Sequence, residues 1–208
     1  MEGKGISKRK HGLKSFTPWN KFIMDLFNSI AELFKSIENI GMISIFVRQF
    51  PNYISYKTNN ITNVKYLRYH VENYLSEIYI FYSRIKIFLR FIEKRCKKYN
   101  LRKLDVINKL LEMIDESFKK IVDVRGNHVH VKRFDDDTFD RLSLLDLFTR
   151  DHKDKMFGIL KKINYQRDRS KWSRDIQTSN RNLSKLLNII CEKVDNICFS
   201  DLKKLINS

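Results

Sequence analysis

Three observations predict an all-α fold, an antiparallel helical bundle with additional N- and C-terminal helices. Apolar residues recur at three- and four-residue intervals rather than alternating, which is the period of a helix with one buried face. Six glycines and two prolines in 208 residues leave few places where a helix has to stop. A hydrophobic content of 42% is enough to fill a real core at this length. The organisation that follows is a basic arm over residues 1–15 and a single helical domain over 16–208.

The arm carries Lys4, Lys8, Arg9, Lys10 and Lys14 and has no apolar period. Thr17-Pro18 then signals a helix start: threonine can cap, and proline at the first helical position lacks only a hydrogen that would be unpaired there anyway. Trp19, Phe22, Ile23, Leu26, Phe27, Ile30, Leu33, Phe34 and Ile37 define the first helix, which Gly41 is expected to end or bend. Pro51 and Asn59-Asn60 mark a connection. From Asn63 to Lys98, Val64, Leu67, Val71, Tyr74, Ile78, Phe81, Ile85, Phe88 and Ile92 run in unbroken heptad steps. Leu75, Tyr82 and Leu89 widen that stripe, so two neighbours must cover it. His70, Glu77 and Arg84, seven apart, share one edge of the same helix.

A turn at Tyr99-Asn100 leads to a third helix with Leu104, Ile107, Leu111, Ile114, Phe118 and Ile121 on its core side, antiparallel to the second. Asp135, Asp136 or Asp137 caps a fourth, built on Phe139, Leu142, Leu145 and Phe148. Met156, Phe157, Leu160 and Ile163 begin another. The polar run Thr178-Ser179-Asn180 separates it from a last helix through Leu183, Leu187, Ile190 and Val194.

The net charge of +17, from 41 Lys and Arg against 24 Asp and Glu, favours polyanionic partners, because each neutralised phosphate releases counterions. Nucleic acid leads that class, an anionic membrane is second, and lysine-rich solubilisation is the plain alternative. Cys96, Cys191 and Cys198 are too few and too scattered for a disulfide framework. No signal-peptide pattern opens the chain and no apolar run reaches bilayer length, so a soluble cytoplasmic protein without a membrane partner is expected. No phosphate-cradling glycine loop, nucleophile elbow or zinc-ligand series is present, which leaves nucleotide hydrolysis, acyl transfer and zinc catalysis poorly supported.

The stretch Arg125-Gly126-Asn127-His128-Val129-His130 sits behind the third helix, at its junction with the next. Arg125 offers a permanent two-pronged cation for phosphate oxygens, and His130 can move protons near neutral pH. Together these groups suit RNA cleavage without a metal. At these residues the chain resembles the HEPN superfamily, small helical bundles that carry an Arg, four to six residues, then His. The hairpin from about 63 to 124 matches the usual framework, and the bundle as a whole covers about 60–195. Gly126 stands where the family commonly has a polar residue, and Asn127 follows one position later; the Arg125-to-His130 spacing is intact.

The resemblance implies a metal-independent endoribonuclease in which the ribose 2′-hydroxyl attacks the adjacent phosphorus, with Arg125 and His130 catalytic and no cofactor. It implies a homodimer with two motifs facing each other, roles in toxicity or phage defence, and in some members a neutralising or regulatory protein partner. Other members are inactive binding modules, and a non-catalytic nucleic-acid-binding or protein-interaction helical module is the alternative for this chain.

Asn127, His128 and Glu77 are expected to support the pair, Glu77 by fixing the Arg125 guanidinium, although a charge beside a heptad stripe is commonly a solvated flank. His128 and His130 could instead form a metal pair, but a catalytic zinc usually takes three protein ligands and only Asp135–Asp137 could fold back to supply one, so no metal is expected. Lys132, Arg133, Lys161, Lys162, Arg167, Arg169, Lys171 and Arg174 are the RNA-binding candidates, with Tyr165 and Trp172 interleaved. That stretch either tracks a strand by cation contact and stacking or is a solvated helix face with two partly buried aromatics.

Overall fold

The computed structural model describes residues 17–51, 53–98, 104–130, 137–151 and 155–197, with the backbone alone at 124–130 and 150–151. Six helices occur among the described residues: α1 (Pro18–Arg48), α2 (Ile54–Thr58), α3 (Asn63–Lys98), α4 (Leu104–His130), α5 (Asp137–Asp151) and α6 (Lys155–Ile197). The fold is all-α. The basic arm lies outside the described residues.

Thr17 caps α1 as its sequence suggests, its Oγ1 accepting from the Asn20 backbone N–H at 3.2 Å, with Pro18 in the first turn. Gly41 does not end this helix, which continues to Arg48. A Cβ at Gly41 would lie 3.4 Å from Asn180 Nδ2, an ordinary van der Waals contact with α6. The connection after Pro51 holds the short helix α2 and then Asn60, whose φ of 51° asparagine tolerates better than most residues.

The heptad stripe of α3 is buried along its whole length, from Val64 to Ile92. At about 54 Å this helix is the axis around which the others pack. α1 runs antiparallel to it: Arg84 reaches Glu32 at one level, and His70 stacks on Phe46 at another, 5.2 Å between centroids. α4 covers another side, also antiparallel, with Phe118 against Phe81 and Asp115 against Tyr82 and Lys86. Ile107, Leu110, Ile114 and Phe118 bury that face of α4, while Leu104, Leu111 and Ile121 pack at its margin.

The two C-terminal helical stretches form one helix. α6 runs 43 residues through Thr178-Ser179-Asn180 without interruption. Of those polar residues, Ser179 hydrogen-bonds the buried Tyr74 hydroxyl, Asn180 lies near Gly41 of α1, and Thr178 is exposed. α6 lies antiparallel to α1 and parallel to α3. α5 folds back along its first half, with Phe139 stacked on Trp172 and Phe148 on Phe157. Beyond the bundle end, α6 exposes Met156, Ile159, Leu160 and Ile163, and α5 exposes Leu144 and Leu147.

Candidate nucleic-acid interface

α6 concentrates cations between Lys161 and Lys185, and its register sorts them. Arg167, Lys171, Arg174 and Arg181 are exposed and follow one another at four, three and seven residues, which keeps them on one face. Asp168 points the other way and is 4% exposed. It accepts from Arg141 Nη2 at 2.9 Å and from Arg167 Nε at 3.1 Å, so its charge is balanced internally. Arg167 also donates to Asn164 Oδ1 at 3.0 Å. Lys161 is bound to the buried Asp146 of α5, whereas Lys162 and Lys171 stand exposed.

The interleaved aromatics do not line this face. Tyr165 is buried and Trp172 packs against Phe139 in the core, so the stretch is a solvated cationic face over two inward rings. Arg169 lies over the Tyr165 ring, 5.6 Å from guanidinium carbon to centroid. Burial pushes the Tyr165 hydroxyl's pKa up, and Arg169 partly offsets that through its charge and a hydrogen bond.

Where α6 crosses the end of α1, a cleft of about 480 Å³ is lined by Arg48, Arg169, Ser170, Ser173, Arg174 and Gln177. Gln177 meets the Arg48 guanidinium with its amide oxygen as acceptor. Three guanidiniums converge with two hydroxyls, and no carboxylate lines the cleft. A concave site with that donor set suits phosphate oxygens, which accept several N–H and O–H bonds at once. Sequence reasoning found Arg169 and Arg174 but missed Arg48, a lone cation at the end of an apolar helix. Only the antiparallel crossing of α1 and α6 makes it part of a cluster.

The Arg125-to-His130 stretch is not a bend. It forms the last turns of α4, which Gly126 does not interrupt. Five residues of helix turn through about 140° net and rise about 7.5 Å, so Arg125 and His130 occupy different register positions around one axis. The side chains of Arg125, Asn127, His128 and His130 lie outside the described residues, as do Lys132, Arg133, Asp135 and Asp136 entirely; Asp137 opens α5.

The edge shared by His70, Glu77 and Arg84 faces α1. Glu77, expected beside Arg125, accepts from Asn39 Nδ2 of α1 at 3.3 Å. Arg84 binds the Glu32 carboxylate at 2.7 Å and the Ser36 hydroxyl at 2.6 Å. The heptad step therefore identified a common edge correctly, but its partner is the first helix.

Among the described residues no cluster of three or more His, Cys, Asp or Glu could hold a metal ion. No described helix is long and apolar enough to cross a membrane. Cys96 and Cys191 are free thiols, and burial raises the Cys191 pKa. No protein-family profile, curated protein sequence or solved structure matches this chain.

Proposed function

We propose that the protein binds RNA through its sugar–phosphate backbone, along the exposed cationic face of α6 and into the cleft closed by Arg48. The observation that carries this reading is the convergence of Arg48, Arg169 and Arg174 with two serine hydroxyls and no neutralising carboxylate in the cleft. Unneutralised guanidiniums held together repel one another, and an entering phosphate relieves that repulsion while making charge-assisted hydrogen bonds. The net charge of +17 adds a long-range field that steers a polyanion to the surface. Fluorescence anisotropy of a labelled 12-nucleotide RNA tests it: affinity should fall steeply between 50 and 200 mM salt, and binding that ignores salt contradicts it.

A second reading, metal-independent endonucleolytic cleavage at Arg125 and His130, is favoured by the pairing of those residue types in a basic helical protein. Their separate register positions on α4 make two copies of the chain the natural arrangement, each contributing one group to a phosphodiester. The exposed apolar face of Met156, Ile159, Leu160 and Ile163 on α6 is suited to such pairing. Cutting should persist in excess EDTA and vanish in Arg125→Ala and His130→Ala. RNA that stays intact while demonstrably bound selects the non-catalytic module instead.

A further inference from the structure

A second concavity flanks the same end of α1. Phe46 and Arg48 are two residues apart, a rotation of about 200°, so the cleft near Phe46 opens on the opposite side of the helix from the arginines. It measures about 390 Å³, within the range of small-molecule sites, and lies between α1 and α3. Its chemistry differs from that of the cationic cleft. Phe46 and Tyr69 are 45% and 58% exposed, and the His70 ring contacts both, 5.2 Å from each ring centroid. Burial lowers the His70 pKa, which keeps the imidazole neutral near pH 7. Beyond the rings stand Asn73 and Glu77, and no lysine or arginine lines the site.

We propose that this cleft binds a guanine base, stacked on Phe46 and Tyr69 with its Watson–Crick edge turned to Glu77. Unpaired bases are read by stacking on aromatic side chains and by hydrogen bonds along their edges. A carboxylate is acceptor-only and matches two adjacent donors. Guanine alone among the four common RNA bases carries two neighbouring donors on that edge, N1–H and the N2 amine. Adenine, cytosine and uracil each place an acceptor beside their donor, which would face a carboxylate oxygen. Among the described residues Glu77 receives one hydrogen bond, from Asn39 to Oε2, so Oε1 stays open to the base. The Asn73 amide is free to meet guanine O6. An organic cation would also suit rings beside a carboxylate, but the net charge of +17 repels it and attracts a base carried on phosphate.

For its source in an RNA strand this inference rests on the reading above; for the base itself it rests on the cleft alone. Calorimetric titration with GMP, AMP, CMP and UMP separates the two, because all four share one phosphate. GMP should bind at least fivefold tighter than the others. Glu77→Gln, which puts an amine where an acceptor stood, should abolish that preference, and Tyr69→Ala should weaken GMP at least threefold. Four nucleotides binding alike, a GMP preference that survives Glu77→Gln, or no binding of any overturns the proposal. The strand is tested with a U12 oligonucleotide and the same oligonucleotide carrying one central G. A fivefold gain from the single G that Glu77→Gln removes assigns the base to RNA. Equal affinities with a GMP preference intact assign the cleft to a free guanine nucleotide. Failure of both oligonucleotides to bind, with the GMP preference intact, rejects the RNA reading and leaves the guanine cleft standing.

Discussion

The cations that tie α3 to α1 and α4, and α6 to α5, differ from those at the α1–α6 crossing in having an acid to face. Arg84 grips Glu32, Lys86 grips Asp115, and Lys161 grips Asp146, each pinning two helices together. Arg48, Arg169 and Arg174 line one cleft, whose other lining is two serines and a glutamine, with no carboxylate. The lesson is that total charge does not mark a site. A chain at +17 has cations everywhere, and a partner is called for where the fold has gathered several without neutralising them.

Three substitutions or conditions sharpen this contrast. The largest effect is expected from removing the unneutralised group: Arg48→Ala, Arg169→Ala and Arg174→Ala combined should weaken RNA binding about 100-fold at low salt, measured by anisotropy, while the unfolding midpoint barely moves. Arg84→Met should do the reverse. It loses the Glu32 pair and the Ser36 hydrogen bond at a partly exposed edge, costing about 1 kcal/mol in denaturant unfolding and leaving RNA affinity within twofold. An equal loss of RNA affinity in both variants would erase the distinction.

The smallest effect concerns pH. The hydrogen bond from Lys86 holds the Asp115 carboxyl below its ordinary 3.8, and the same bond raises Lys86 above its ordinary 10.5, with Tyr82 contributing to both. The Asp115 contribution is present above its unfolded pKa and is lost as pH falls through its depressed folded value. The Lys86 contribution is present below its unfolded pKa and is lost as pH rises through its raised one. Between those limits this pair should give a flat stability profile. Because the Asp115 side chain is half exposed, removal of the pair in Asp115→Asn should change stability by under about 1 kcal/mol.

The most legible part of the fold was α3, whose limits and whole buried stripe follow from heptad spacing that no competing signal interrupts. Elsewhere local signals were overruled by packing. Thr178-Ser179-Asn180 reads as a break, yet Ser179 hydrogen-bonds Tyr74 and the helix continues. Gly41 reads as a stop, yet α1 continues through it to Arg48. Gly126 likewise leaves α4 intact, so the Arg125-to-His130 stretch, which the sequence places behind this helix, is its last part. α2 was not legible, since five residues between turn signals carry too little period.

Of the candidate site, the α6 cations were visible as a charge-rich stretch with few acids. Their division into engaged and unengaged members was not, because it depends on Asp146 and Asp168 arriving from the neighbouring helix and the inward face. Arg48 depends on a crossing more than 120 residues away along the chain. Glu77 was singled out for its edge, and the neighbour that this edge meets, Asn39 of α1, was not foreseen. Heptad spacing tells which residues share a side, while the identity of the covering helix is a tertiary fact.

The most direct test is the slope of log affinity against log salt for a 12-nucleotide RNA, compared between the wild-type protein and the combined Arg48→Ala, Arg169→Ala, Arg174→Ala variant. Loss of phosphate contacts should make the slope shallower by about two to three. Parallel lines for the two proteins, with affinity unchanged, would contradict the assignment of this cleft to a phosphate backbone.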